Sequence, residues 1–65
     1  MDTMTIPDLP PRCGSWVIVR AGTLQAIGEF YERANVERII RAEEGRFQAM
    51  TALDYLAAFN RQAGN

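Results

Sequence analysis

Few side chains in this 65-residue chain could carry out catalysis. The sequence has no histidine and one cysteine, so it offers no imidazole base, no Ser-His or Cys-His pair and no zinc site of the usual Cys/His kind. Glu43 and Glu44 are adjacent carboxylates that could form an acid–base pair, but carboxylates in a turn before a glycine are more often solvated. The glycines form no phosphate-binding motif. We therefore expect a non-enzymatic protein with no catalytic residue, metal or cofactor.

The single cysteine, Cys13, lies between Arg12 and a glycine at the start of the most strand-like run. A neighbouring guanidinium could lower the thiol pKa and raise its reactivity, although a plain packing role is the more common one. One cysteine cannot form an internal disulfide, so the fold does not depend on an oxidising compartment. Without a leader-like N-terminus or a long apolar run, we expect a cytoplasmic protein that does not enter the membrane.

The charge of the chain argues against general nucleic-acid binding. Seven arginines and eight acidic residues give a net charge of −1, and there is no lysine. Nucleic-acid binders usually carry a basic excess, because their affinity comes largely from neutralising phosphates. Arg33, Arg38 and Arg41 lie on the outer side of a predicted helix and keep a DNA-associated regulator open as an alternative. Arginine also suits bidentate contacts with carboxylates of a partner protein.

The chain is long enough for only one small domain. Residues 1–12 contain all three prolines and show no periodicity, which predicts an extended, proline-rich N-terminal arm. This arm could lie across the surface of the domain or contact a partner. Residues 13–65 are expected to form a single α+β domain.

Two kinds of periodicity follow one another along this domain. Apolar, β-branched and aromatic residues predict strands over residues 15–20, 24–30 and 46–51. Helical spacing predicts helices over residues 31–42 and from 52 to about 62, and Thr51 is placed to cap the second helix. In the first helix, Val36, Ile39 and Ile40 are predicted to form one buried stripe. The predicted order of elements is ββαβα.

The order of elements predicts a three-stranded sheet with the strand order 2-1-3. A right-handed crossover sets the third strand parallel to the second and leaves the first between them. Trp16 and Ile18 project from one side of that first strand, and Val17 and Val19 project from the other, so both of its faces are apolar. We expect the two helices to pack mainly on one face and the arm, a second subunit or a target protein to cover the other.

Several exposed or ambiguous side chains are candidates for partner binding. Trp16 is either a core anchor or an interface residue, since tryptophan is frequent among residues that dominate binding energy. On the last helix, Leu53 and Leu56 are predicted to be buried, while Tyr55 and Phe59 either widen that core face or form an aromatic ridge. Acidic residues could engage a basic surface that normally holds nucleic acid. The complete candidate set is Trp16, Tyr55, Phe59, Asp54, Glu43, Glu44, Arg38 and Arg41.

Three segments between residues 14 and 60 carry a resemblance to known proteins: "GSWVIVR", "GEFYE" leading into "NVERII", and "TALDYLAAFN". They resemble small proteins carried by proteobacterial phages, plasmids and integrative elements. The resemblance implies a mobile-element context, in which small non-enzymatic proteins include anti-CRISPR proteins. Such proteins bind a CRISPR surveillance complex and block DNA recognition or nuclease recruitment. The resemblance therefore implies a protein partner such as a Cas subunit. A DNA-associated regulator and a homodimeric accessory protein are the alternatives from other function classes. Either a monomer or a homodimer is compatible with this expectation.

Overall fold

The computed structural model describes residues 6–43 and 45–64 of the chain. Its elements are β1 (Trp16–Arg20), β2 (Ala26–Phe30), α1 (Arg33–Ala42), β3 (Phe47–Thr51) and α2 (Ala52–Ala63). The sheet has the order β2-β1-β3, and β1 runs antiparallel to both neighbours. The predicted α+β class, ββαβα order and 2-1-3 strand order are therefore confirmed.

The central strand β1 is enclosed on both faces. Trp16 and Ile18 are 5% and 0% exposed on one face, and Val17 and Val19 are 8% and 1% exposed on the other. We call these the first face and the second face of the sheet. An edge strand could not bury both sets of side chains so completely, so the apolar run on both sides of β1 accounts for its central position.

The main core lies on the first face and is built from α1 and the sheet. Val36 and Ile40, which are one helical turn apart on α1, pack against Trp16 and Ile18 of β1 and Ala49 of β3. Val36 is fully buried and Ile40 is 6% exposed. The helical stripe predicted from the sequence thus meets the face of β1 that carries the tryptophan.

The proline-rich arm covers the rest of the first face. Ile6 belongs to the core cluster, and the indole N–H of Trp16 donates a 2.8 Å hydrogen bond to the carbonyl of Pro7. Arg33, at the start of α1, donates to the carbonyl of Ile6 at 3.0 Å and forms an ion pair with Asp8 at 3.3 Å. The described part of the arm is therefore fixed to the domain at both of these points.

The two helices divide between the faces of the sheet, which differs from the expected packing of both mainly on one face. Whereas α1 lies on the first face, Ala52, Tyr55 and Leu56 of α2 lie beside Val17 on the second face. Thr51 ends β3 and also caps α2, so no loop separates the two elements. Because the end of the strand sets the direction of the helix, α2 cannot swing round to join α1.

The apolar stripe predicted for α2 is not buried. Leu53 and Leu56 are 48% and 53% exposed, and no residue of α2 is fully buried. The half-buried side of the helix instead carries Ala52, Tyr55 and Ala58. The prediction chose the wrong side of the helix, because the hydrophobic pattern of α2 extends around more of its surface than the sheet can cover.

We predict that the arm contributes measurably to stability. Replacing Ile6 with alanine should lower the free energy of unfolding by about 2 kcal/mol or more, since it removes a buried side chain next to Trp16. Ile6→Val should cost less, about 0.5–1.5 kcal/mol. Urea unfolding followed by tryptophan fluorescence measures both changes.

The exposed Ile27 provides a control of the same residue type. Ile27→Ala should change the free energy of unfolding much less than Ile6→Ala does. Equal losses for the two variants would show that the arm does not form part of the core.

Candidate protein-binding surface

An apolar groove lies on the second face between β2 and α2, and we call it the β2–α2 groove. Its volume is about 430 Å³. Exposed Ile27 and Leu56, 44% and 53% accessible, stand on its opposite sides, and Val17 lies at its base. The complete lining is Val17, Ala26, Ile27, Gly28, Glu29, Ala52, Tyr55 and Leu56.

A β-bulge in β2 builds one wall of this groove. Ile18 pairs with Gly28, but the next residue, Val19, pairs with Ala26, so the register shifts and Ile27 is the extra residue. Regular alternation along a strand would place Ala26 and Ile27 on opposite faces. The bulge brings both of them to the groove, because the side chains on either side of an extra residue no longer alternate regularly.

The turn before β2 explains why this strand starts later than predicted. The hydroxyl of Thr23 donates to the carbonyl of Arg20 at 2.8 Å and accepts from the N–H of Gln25 at 3.1 Å. Gly22 allows the chain to reverse there, because its φ is +79°. These bonds hold residues 23–25 in the turn, so β2 begins at Ala26.

Glu29 supplies the charged group of the groove. Its carboxylate accepts a 2.6 Å hydrogen bond from the hydroxyl of Ser15, which is itself buried. A carboxylate has acceptor capacity for further donors beyond this one. The groove therefore combines apolar walls with a fixed negative charge, a combination that suits an apolar segment carrying a basic residue.

Two of the predicted aromatic candidates lie together on α2. The ring of Tyr55 is half-buried in the groove and stands 6.0 Å from the ring of Phe59, which is 47% exposed. At the start of the helix, the Thr51 hydroxyl accepts from the N–H of Asp54 at 3.1 Å, which confirms the predicted cap. Asp54 lies exposed in the first turn, where its charge is favourable to the helix dipole.

The remaining candidates lie away from the groove. Trp16 is buried beneath the arm on the first face. Arg38 and Arg41 are exposed on α1, and Glu43 follows that helix at 3.8 Å from Arg46. Glu44 lies outside the described residues. The structure thus places Tyr55, Phe59 and Asp54 on one helix and does not bring the other described candidates to them.

Sequence reasoning missed most of the groove. The sequence places Ile27 and Glu29 in a predicted strand without marking either as a binding residue, and it predicts that Leu56 is buried. An apolar residue near a carboxylate on an edge strand was the sequence signal that could have indicated the groove. No sequence motif predicts the bulge that brings Ala26 to the same side. The groove follows from turn geometry that the periodicity does not encode.

The arginines of α1 do not form one free basic patch. Arg33 contacts Asp8 and the carbonyl of Ile6, and it lies 3.5 Å from Glu37 within the helix. Only Arg38 and Arg41 of the three remain as candidates for contact with phosphates. This division reduces the positive surface on which the DNA-associated alternative depended.

Within residues 6–43 and 45–64, no group of three or more potential metal-ligating side chains is close enough to hold an ion. In the same residues, every buried side-chain nitrogen or oxygen has a hydrogen-bond partner. No helix among them is long and apolar enough to cross a membrane.

Cys13 lies near the start of α2 and is 9% exposed. The thiol donates a 3.3 Å hydrogen bond to the carbonyl of Ser15. Hydrogen bonding with the backbone of Ser15, and then with that of Leu53, lowers the pKa of the thiol below the ordinary value of 9.0. Burial opposes this change and Ala52 adds to it, while the charge of Asp54 raises the pKa slightly. Backbone groups are therefore the cause of the lowered pKa, in place of the Arg12 guanidinium that the sequence suggested.

Comparisons with protein-family models, curated proteins and solved structures give no significant match to this chain. The class that the structure itself defines is a small α+β domain with an open three-stranded antiparallel sheet.

We predict that the Cys13 thiolate forms at a lower pH than an ordinary thiolate. The rate of alkylation by iodoacetamide should rise with pH to a midpoint below 9.0, because the folded backbone stabilises the charged form. Mass spectrometry of samples quenched across a pH series measures this midpoint.

Two controls test whether the folded backbone causes the lowered alkylation midpoint. Urea-unfolded protein should return to the ordinary midpoint, whereas the Arg12→Ala variant should keep the lowered one. A folded midpoint at or above that of the unfolded chain would contradict the prediction.

Proposed function

We propose that this chain is a non-enzymatic protein that binds another protein through the β2–α2 groove. The supporting observation is that exposed apolar side chains from two separate elements meet around one groove. Ile27 comes from β2 and Leu56 from α2, and both remain about half exposed over a buried valine. A small domain gains stability by covering such residues, so their exposure around a groove is typical of an interaction site.

The chemistry of the groove defines the kind of segment that it would bind. Its walls accept a few apolar side chains, and the carboxylate of Glu29 favours an arginine or lysine beside them. Phe59 extends the apolar surface along α2 beyond the groove. The proposed occupant is therefore an apolar protein segment that carries a basic residue.

We further propose that this partner is a Cas subunit and that the protein acts as an anti-CRISPR in the bacterial cytoplasm. This part of the proposal rests on the resemblance of the "GSWVIVR", "GEFYE" and "TALDYLAAFN" segments to small mobile-element proteins. Surfaces that normally hold nucleic acid are basic, which suits a groove containing Glu29. Binding there would block DNA recognition or nuclease recruitment by occupation of the surface.

We predict that the groove is required for inhibition. Cells that express the protein should lose CRISPR immunity against a targeted phage, as measured by plaque counts across several CRISPR subtypes. Ile27→Ser and Leu56→Ser should each weaken binding to the target Cas subunit about tenfold or more, because they remove apolar contact at the groove walls. Isothermal titration with the purified subunit measures this loss.

Arg38→Ser is the matched control, since Arg38 is exposed on α1, away from the groove. It should bind and inhibit like the unmodified chain, and circular dichroism should show that all three variants fold. Undiminished immunity in every subtype would refute the anti-CRISPR proposal. Groove variants that bind as tightly as the unmodified chain would refute the proposed surface.

A further inference from the structure

The two edges of the sheet differ in how well they are protected. β2 carries a bulge and a glutamate, which are common devices against unwanted strand pairing. β3 pairs with β1 in regular register from Phe47 to Thr51, and its sequence, FQAMT, contains neither a charge nor a proline. The β3 edge is therefore suited to pairing with another strand.

The hydrogen bonds at the two ends of β3 show which of its backbone groups point away from β1. Ala21 donates to the carbonyl of Arg46 at 2.9 Å, and Ala52 donates to the carbonyl of Ser15 at 3.0 Å. Bonding alternates along an antiparallel pair, so residues 46, 48, 50 and 52 face β1. Phe47, Ala49 and Thr51 consequently direct their backbone N–H and C=O groups outward.

We propose that a second copy of this chain pairs antiparallel with β3, centred on Ala49. Each Ala49 then donates its N–H to the carbonyl of Ala49 in the other copy. The N–H of Thr51 in each copy donates to the carbonyl of Phe47 in the other. Thr51 is the N-cap of α2, so its carbonyl accepts the first hydrogen bond within the helix. The pairing with the other copy therefore uses only the N–H of Thr51. A twofold axis at Ala49 makes the edge complementary to itself, as a closed dimer requires.

Charge complementarity favours a second copy over an unrelated strand. The antiparallel register brings Arg46 of one copy next to the first turn of α2 in the other, which carries Asp54. The side chain of Arg46 is 78% exposed, and within residues 6–43 and 45–64 its one ion pair is a long contact of 3.8 Å with Glu43. Between these ends, Gln48 lies opposite Met50 of the other copy, so no like charges face each other.

α2 does not lie along the β3 edge. α2 contacts β3 and β1, so it turns inward across the sheet from the end of β3. The twofold axis stands perpendicular to the sheet and places both copies of α2 on the same side. The dimer therefore presents two β2–α2 grooves on one side, and its formation does not depend on either groove being filled.

Removing one outward N–H tests the pairing directly. Chemical synthesis of the chain with N-methyl-Ala49 blocks the central donor and leaves the bonds between β3 and β1 in place. N-methyl-Glu29 is the matched control, because its N–H points outward from the opposite edge. Sedimentation equilibrium should show masses rising toward twice 7.3 kDa with concentration for the unmodified chain and this control. The N-methyl-Ala49 chain should remain at 7.3 kDa.

Two results of that experiment would overturn the proposal. One is an unmodified chain that stays monomeric up to millimolar concentration. The other is an N-methyl-Ala49 chain that dimerises as tightly as the unmodified chain. Ile27→Ser and Leu56→Ser should dimerise normally, so failure of the proposed groove and failure of the proposed dimer are distinguishable.

Measurements on unmethylated protein cover the case in which methylation disturbs folding. Hydrogen exchange followed by NMR should slow with increasing concentration at Ala49 and Thr51, but not at Glu29. Arg46→Glu should raise the dimer dissociation constant about three- to tenfold, and adding Asp54→Arg should restore it in part. Concentration-independent exchange at Ala49 would also overturn the proposal.

Discussion

A central strand with apolar side chains on both sides has to be covered twice. In a chain of 65 residues this requirement is severe, because a domain of that size buries only about 60% of the surface its unfolded chain exposes. Two helices on one face would leave Val17 and Val19 in water. The chain instead places α1 and the arm on the first face and α2 on the second face. Division of the helices thus follows from the composition of β1.

The arm completes the first face because it satisfies polar groups as well as apolar ones. Burying Trp16 would be costly if its indole N–H lacked an acceptor, and the carbonyl of Pro7 supplies one. Proline limits the conformations of the unfolded arm, so less entropy is lost when the arm docks. Arg33 then holds the carbonyl of Ile6. An arginine that could have served a ligand is therefore committed to the fold.

The sequence predicted those features that depend on local composition or on general rules of connection. The apolar faces of β1, the helical stripe with Val36 and Ile40, the Thr51 cap and the strand order belong to this group. The bulge at Ile27 was not predictable in the same way, because it depends on the hydrogen bonds of the preceding turn. The orientation of α2 depends on the direction in which β3 ends, so its periodicity could not distinguish the half-buried side from the exposed one.

Incomplete coverage of the second face connects the fold with the proposed binding role. α2 encloses Val17 but buries none of its own residues, so Ile27 and Leu56 retain surface that a partner can remove from water. Any partner that binds only the folded chain also stabilises it, by an amount that grows with partner concentration relative to the dissociation constant. For a domain this small, such a contribution is comparable with that of a core side chain. The same exposed residues that limit the stability of the free domain are therefore the ones that would gain most from a bound protein.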